Sequence, residues 1–276
     1  LIRYGVPQGS VLGPILFLIF INDLPSSSFM TNFILFADDT TLAGSNQDVK
    51  KLINEITQAE NEINTWFLSN KLCRNESKTQ RLYFSLRELD TVEETINMLG
   101  IILDKKMTFE QHIVKLSKSV SKRIYTLRRL RLVVSEKTLR AAYFGYIHNC
   151  LSYAILVWGH SHHLLKLFAI QRKCIRIIAG LNYRDDCRVS FKNLCIMTLP
   201  SAYIYACLRY VKANPNQFRS LDHEHQTRYK EWLQTDFQRL TRTRTALRYY
   251  CITLFNVLPV SLKELPENVF CKVVKE

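Results

Sequence analysis

A chain of 276 residues, 47% of them hydrophobic, can bury a substantial core and reads as one large or two modest globular domains. Its 38 Lys+Arg against 24 Asp+Glu give a net charge of +14, which favours a polyanionic partner over a neutral small molecule. None of the 8 cysteines shows the C-x-x-C spacing of zinc knuckles and ribbons, and in a chain this long they read as reduced, mostly buried thiols.

The first informative segment is Gly5-Val6-Pro7-Gln8-Gly9-Ser10-Val11-Leu12-Gly13-Pro14. Pro7, Gly9 and Gly13 interrupt regular structure, and Pro14 suits a first helical residue, where a missing N–H costs nothing. A loop is therefore expected to enter a helix, with glycines that let main chain approach a ligand closely. The apolar run from Ile15 to Ile21 is far too short to span a bilayer and is expected to be a buried core helix. Phe33 to Ala37 reads as a strand and Thr40 to Ala43 as its return, which puts Asp38 and Asp39 at a hairpin turn.

Val49, Leu52, Ile53, Ile56, Ala59, Ile63, Trp66 and Phe67 then recur at three- and four-residue intervals and predict a helix from about Gln47 to Leu68. A turn-rich patch from Ser69 to Lys78 leads into a strand-like Gln80 to Phe84, and Asn97 to Asp104 reads as a further strand. Strands mixed with crossing helices imply an α+β fold.

From Thr108 the texture becomes helical and basic. Phe109, His112, Ile113, Leu116, Val120, Ile124, Leu127 and Leu130 keep helical spacing, with Lys115, Lys118, Lys122, Arg123, Arg128, Arg129 and Arg131 largely on other faces. Ser135 is placed to cap the next helix, another covers Leu164 to Ile178 and stops at Gly180, and Pro200 opens one that ends at Asn214-Pro215. His160, His162 and His163 read as scattered surface imidazoles rather than metal ligands. The stretch 216–245 is a polar, basic connector with isolated Trp232 and Phe237, and a last helix carries Tyr249, Leu254 and Phe255.

Two adjacent aspartates at a turn are ordinarily explained by local hydrogen bonding. The glycine-bearing loop, an apolar helix and then Phe36-Ala37-Asp38-Asp39 about thirty residues on form a composite that turn preferences alone do not produce, and carboxylate oxygens suit magnesium.

Residues Gly5 to about Asp104 resemble the later palm motifs of reverse transcriptases from non-LTR retrotransposons, particularly the jockey-like group. Gly5 to Pro14, with Asn22-Asp23-Leu24-Pro25, resembles the family's B motif, and Phe36-Ala37-Asp38-Asp39 its C motif. The resemblance implies an RNA-directed DNA polymerase that uses Mg2+, deoxynucleoside triphosphates, an RNA template and a DNA primer. Asp38 would be the firm metal ligand and Asp39 its support. Pro7, Gln8, Gly9, Ser10, Phe36 and Ala37 would line the nucleotide and template pocket. Asn70 to Thr79 is similar to the D motif, with Lys78 the candidate general acid for the departing pyrophosphate and Lys71 its competitor. Leu99 to Asp104 resembles the strand that carries a primer grip, Gly100 otherwise requiring only a bulge.

Phe109 to about Tyr210 resembles the thumb and C-terminal helical region, where Lys115, Lys118, Lys122 and Arg123 would contact the nucleic-acid backbone. The implied division is a partial palm at 1–105, a helical thumb and C-terminal region at 106–215, and a connector with a terminal helix at 216–276. It implies an intracellular protein, in nucleus or cytoplasm, and no membrane; oligomeric state stays open. The family's A motif, which contributes another catalytic aspartate, and its fingers are not in this sequence, so the chain is expected to be a fragment that does not polymerise alone. The alternative is a non-catalytic nucleic-acid-binding remnant.

Overall fold

The structure is a computed structural model that describes residues 9–27, 32–85, 94–220, 232–235, 237 and 246–275; Pro7, Gln8 and most of the 216–245 connector lie outside them. The fold is α+β, as expected, with two small antiparallel hairpins among helices. Compactness divides the chain into two units, Leu1–Thr79 and Gln80–Glu276.

In the first unit, helix α1 (Gly13–Ile21) follows the glycine-bearing loop, with Pro14 in its first turn and Ser10 Oγ accepting the Gly13 N–H at 3.1 Å. A 3-10 turn, Leu24–Ser27, leads to the hairpin of β1 (Asn32–Phe36) and β2 (Asp39–Ala43). Helix α2 (Val49–Ser69) opens on Asp48, whose carboxylate accepts the Lys50 N–H at 2.8 Å and satisfies one of the orphan donors of the first turn. Ile21, Leu24 and Ile63 form a small core that Phe17, Phe33, Leu35, Leu42, Trp66 and Phe67 flank.

Helix α1 is not the buried helix expected from its composition. Only Gly13 and Ile21 are buried, while Leu18 and Ile19 remain 54% and 69% exposed. The helix is apolar on every side, and the small core takes up only the strip that carries Phe17 and Ile21, one turn apart.

The second unit opens with 80–84, which forms no strand; Leu82 packs against the core and Gln80 Oε1 accepts the Asn97 N–H at 3.2 Å. Asn97 to Asp104 is not one strand either. It is the hairpin of β3 (Thr95–Met98) and β4 (Ile101–Asp104), joined by Leu99 and Gly100 at φ of 47° and 84°. Gly100 thus serves a two-residue turn with both central residues left-handed, which suits a tight hairpin, and not a bulge.

The Asp104 carboxylate then accepts the Thr108 and Phe109 N–H groups at 2.9 and 2.7 Å, closing the start of α3 (Glu110–Arg131). Next come α4 (Glu136–Tyr143), a π-helical segment Phe144–His148, α5 (Asn149–Ser152), α6 (Ile155–Trp158), α7 (Leu164–Ala179), α8 (Arg188–Asn193) and α9 (Leu199–Ala213). Ser135 caps α4 and Gly180 ends α7 at φ 76°, both as expected, and Thr198 with Pro200 opens α9. Helices α10 (Leu247–Val257), α11 (Val260–Lys263) and α12 (Glu267–Val273) complete the unit.

A single core runs through this unit from Ile101 to Phe270, with Trp158, Tyr143 and Phe109 among its fully buried side chains. Gln171 satisfies its amide inside that core. Its Nε2 donates to Tyr143 Oη and to the Met197 carbonyl at 3.0 Å each, and its Oε1 accepts the Leu199 N–H at 2.8 Å, so α4, α7 and α9 are tied at one point. Ile101 and Leu103 of the hairpin enter the same core, which is why compactness breaks before Gln80 and not near Lys105, where the sequence changes texture.

Of the three neighbouring histidines only His162 is exposed, the surface placement expected of all three. His163 is buried and faces Glu110 at 3.7 Å, and His160 lies edge-on against Phe109 with ring centroids 5.4 Å apart. All eight cysteines are free thiols, four of them buried. Among the described residues no helix is long and apolar enough to cross a membrane.

Candidate active site and nucleic-acid interface

The β1–β2 register pairs Phe36 with Asp39, so Ala37 and Asp38 alone make the turn. Residues directly opposite on an antiparallel pair share a face. Phe33, Leu35 and Leu42 point to the small core, which leaves Phe36 and Asp39 on the solvent side beside the turn residue Asp38. Both carboxylates are exposed, and among the described residues neither accepts a side-chain hydrogen bond nor forms an ion pair. Ala37 carries the pair at φ 52°, a left-handed conformation that costs a residue with a Cβ about 1–2 kcal/mol. Backbone strain of this kind is concentrated where function fixes a turn.

Two carboxylates adjacent in sequence offer hard oxygen donors at the same end of the hairpin, the chemistry Mg2+ takes. They fit as part of a coordination shell: among the described residues no third His, Cys, Asp or Glu joins them in a ligating cluster.

Of the other residues singled out by the sequence, Gly9 and Ser10 lie in the same unit, directly before α1. Gly9 is exposed at φ 83°, with open space where a Cβ would stand. Pro7 and Gln8 fall outside the described residues. Lys78 ends an exposed 3-10 turn, Glu76–Lys78, and Lys71 adopts a left-handed φ of 57° after α2.

In the second unit, Lys115, Lys118 and Lys122 line one groove of about 660 Å3 along α3, with Gln111, Ser119 and, from β4, Ile102. Arg123 turns away from it. Its guanidinium donates to the Tyr146 carbonyl at 2.6 Å, contacts Cys150 Sγ and lies 5.5 Å from the Tyr146 ring centroid, because residue 123 points about 100° round the helix from residue 122. Tyr125 was missed by motif reading, and Arg129 was noted only as a basic residue, although both continue the three- and four-residue spacing of the lysines.

Residues 2–103 match the family described as reverse transcriptase (RNA-dependent DNA polymerase). Over this segment, somewhat more than a third of the chain, it is similar to the reverse transcriptase family. The reverse transcriptase segment holds the hairpin with its carboxylate pair, α1, α2 and the β3–β4 hairpin. Among curated relatives, the probable RNA-directed DNA polymerase from transposon BS of Drosophila melanogaster is 30% identical over 207 residues, 66% of this chain and 23% of that protein. The RNA-directed DNA polymerase from mobile element jockey of Drosophila funebris is 29% identical over 204 residues, 65% of this chain and 22% of the relative. The probable RNA-directed DNA polymerase from transposon X-element of Drosophila melanogaster is 26% identical over 201 residues. The chain thus spans less than a quarter of the length of these relatives. No solved structure matches it significantly.

Proposed function

We propose that this chain is part of an RNA-directed DNA polymerase of a mobile element, and that its complete parent adds deoxynucleotides to a DNA primer opposite an RNA template. The observation that carries this reading is the exposed carboxylate pair at the end of a hairpin inside the segment that matches reverse transcriptases. Asp38 and Asp39 hold Mg2+, which when bound supplies activation of the primer 3′-hydroxyl and neutralises charge on the triphosphate.

The remaining roles belong to the protein. The left-handed Ala37 fixes the backbone turn from which the two carboxylates project. Pro7, Gln8, Gly9 and Ser10 shape the nucleotide and template pocket, with the open backbone at Gly9 admitting close approach of a base or sugar. Phe36 and Ala37 flank the nucleotide. Lys78 Nζ donates the proton that the leaving pyrophosphate takes up, with Lys71 the competing donor. The division into palm at 1–105, thumb and helical region at 106–215, and connector with terminal helix at 216–276 belongs to the same reading. Lys115, Lys118 and Lys122 grip nucleic-acid backbone in the second region, and Arg123 braces the helix that carries them.

Two carboxylates are an incomplete cage for paired cations, so the purified chain is expected to extend no primer by itself. Fused behind the upstream polymerase segment of the jockey relative, it should extend a DNA primer on an RNA template, and Asp38→Ala should abolish that extension. Activity that survives Asp38→Ala would refute the assignment. A second reading, a non-catalytic nucleic-acid-binding protein, is favoured by the lysine groove, which lies wholly in the second unit. Salt-sensitive binding unchanged by Asp38→Ala, with no activity in the fusion, would select it.

A further inference from the structure

Helix α3 carries seven cations, Lys115, Lys118, Lys122, Arg123, Arg128, Arg129 and Arg131, against one acid, Glu110. Surface helices usually interleave the two signs so that neighbours one turn apart attract. Here Lys118 and Lys122 stand one turn apart and repel. At about 100° per residue, Lys115, Lys118, Lys122, Tyr125 and Arg129 fall within an arc of about 80°, roughly opposite the buried face of Ile113, Val120, Ile124 and Leu127. The stripe runs for about 21 Å along the helix. All five side chains are exposed, and among the described residues no carboxylate comes within ion-pair distance of its four cations. Glu110, the one acid, lines the groove at its far end, 3.7 Å from His163.

The tyrosine separates this stripe from an ordinary solvated face. Tyr125 is 67% exposed, with Lys122 and Arg129 about a turn to either side, and no ring or cation among the described residues stacks on it. Successive cations suit the phosphates of any nucleic acid. An open aromatic face between them suits an unpaired base, since a duplex keeps its bases stacked inside and leaves such a ring without a partner.

We infer that the outward face of α3 is a track for single-stranded nucleic acid: Lys115, Lys118, Lys122 and Arg129 take successive phosphates, and Tyr125 stacks a base. This rests on the nucleic-acid part of the function proposed above but not on its catalytic part. It narrows the ligand to an unpaired strand, such as template that has not yet been copied or product that has left its complement.

The test is fluorescence anisotropy of the full chain with a labelled oligouridylate of about ten nucleotides and with an RNA–DNA hybrid of the same length, across a salt series. Tyr125→Ala should weaken oligouridylate binding about tenfold and leave hybrid binding unchanged, while Tyr125→Phe, which keeps the ring, should bind as the parent does. Four phosphate contacts predict a slope of log affinity against log salt of about −3 for the single strand, falling to about −1.4 in the double variant Lys118→Gln/Lys122→Gln. If Tyr125→Ala leaves oligouridylate binding intact, or weakens the hybrid equally, the single-strand track is wrong and backbone gripping survives. If neither probe binds in a salt-sensitive way, backbone gripping falls with it.

Discussion

The two compact units solve burial differently. The second closes a core from Ile101 to Phe270 around Trp158, whereas the first gathers three buried aliphatic side chains and leaves most of an entirely apolar helix in solvent. Yet the first carries the carboxylate pair. Stability and the candidate chemistry therefore sit in different parts of the chain, and a side chain's hydrophobicity says little about its energetic weight until its cover is known.

The contrast is broken most directly by paired substitutions. Trp158 is fully buried and donates through Nε1 to the Tyr153 carbonyl at 2.9 Å, so Trp158→Ala should cost about 3–5 kcal/mol in urea denaturation of the second unit. Ile19→Gln on α1 should stay within about 0.5 kcal/mol and raise solubility. A large loss at Ile19 would show that α1 has a cover in solution.

Next in size is Asp104, whose carboxylate holds the Thr108 and Phe109 N–H groups at the start of α3. Asp104→Ala should cost about 2 kcal/mol by the same measurement, against no measurable loss for Asp38→Ala, whose carboxylate has no partner among the described residues. Within the first unit, Ala37→Gly relieves a left-handed Cβ and should stabilise the hairpin by up to about 1 kcal/mol, read by hydrogen exchange over residues 32–43.

The smallest effect expected is a pH dependence confined to the second unit. Burial lowers the pKa values of His148 and His160 below 6.5, with Lys275 adding to the effect at His148, and among the described residues neither Nδ1 has a hydrogen-bond partner. Between the folded pKa and 6.5 the unfolded chain binds more protons, so stability falls as pH drops through 6.5 and is restored above it. His148→Phe should make that acid loss shallower when melting temperature is followed from pH 7.5 to about 5.

Where the sequence was legible, local rules were enough. Ser135, Gly180 and Pro200 marked helix ends because capping is decided by neighbouring backbone, and the α2 stripe declared its buried face through its period. The turn at Asp38 was legible from the strands beside it. Leu99-Gly100 was not, because a single apolar run reads as one strand until both residues turn left-handed. The exposure of α1 and the pairing of His163 with Glu110 depend on what packs nearby, which no local pattern encodes. Arg123 looked equal to its lysine neighbours in composition and differs only through the Tyr146 carbonyl it meets, 23 residues on.

The account's central claim, that Asp38 and Asp39 form one cation-holding pair, is tested most directly with Mn2+ as a paramagnetic stand-in for Mg2+ on the full chain. It predicts selective broadening of backbone amide signals centred on Ala37 to Thr40, reversed by excess Mg2+ and lost in both Asp38→Asn and Asp39→Asn. Broadening centred elsewhere, or unchanged by either substitution, would contradict it.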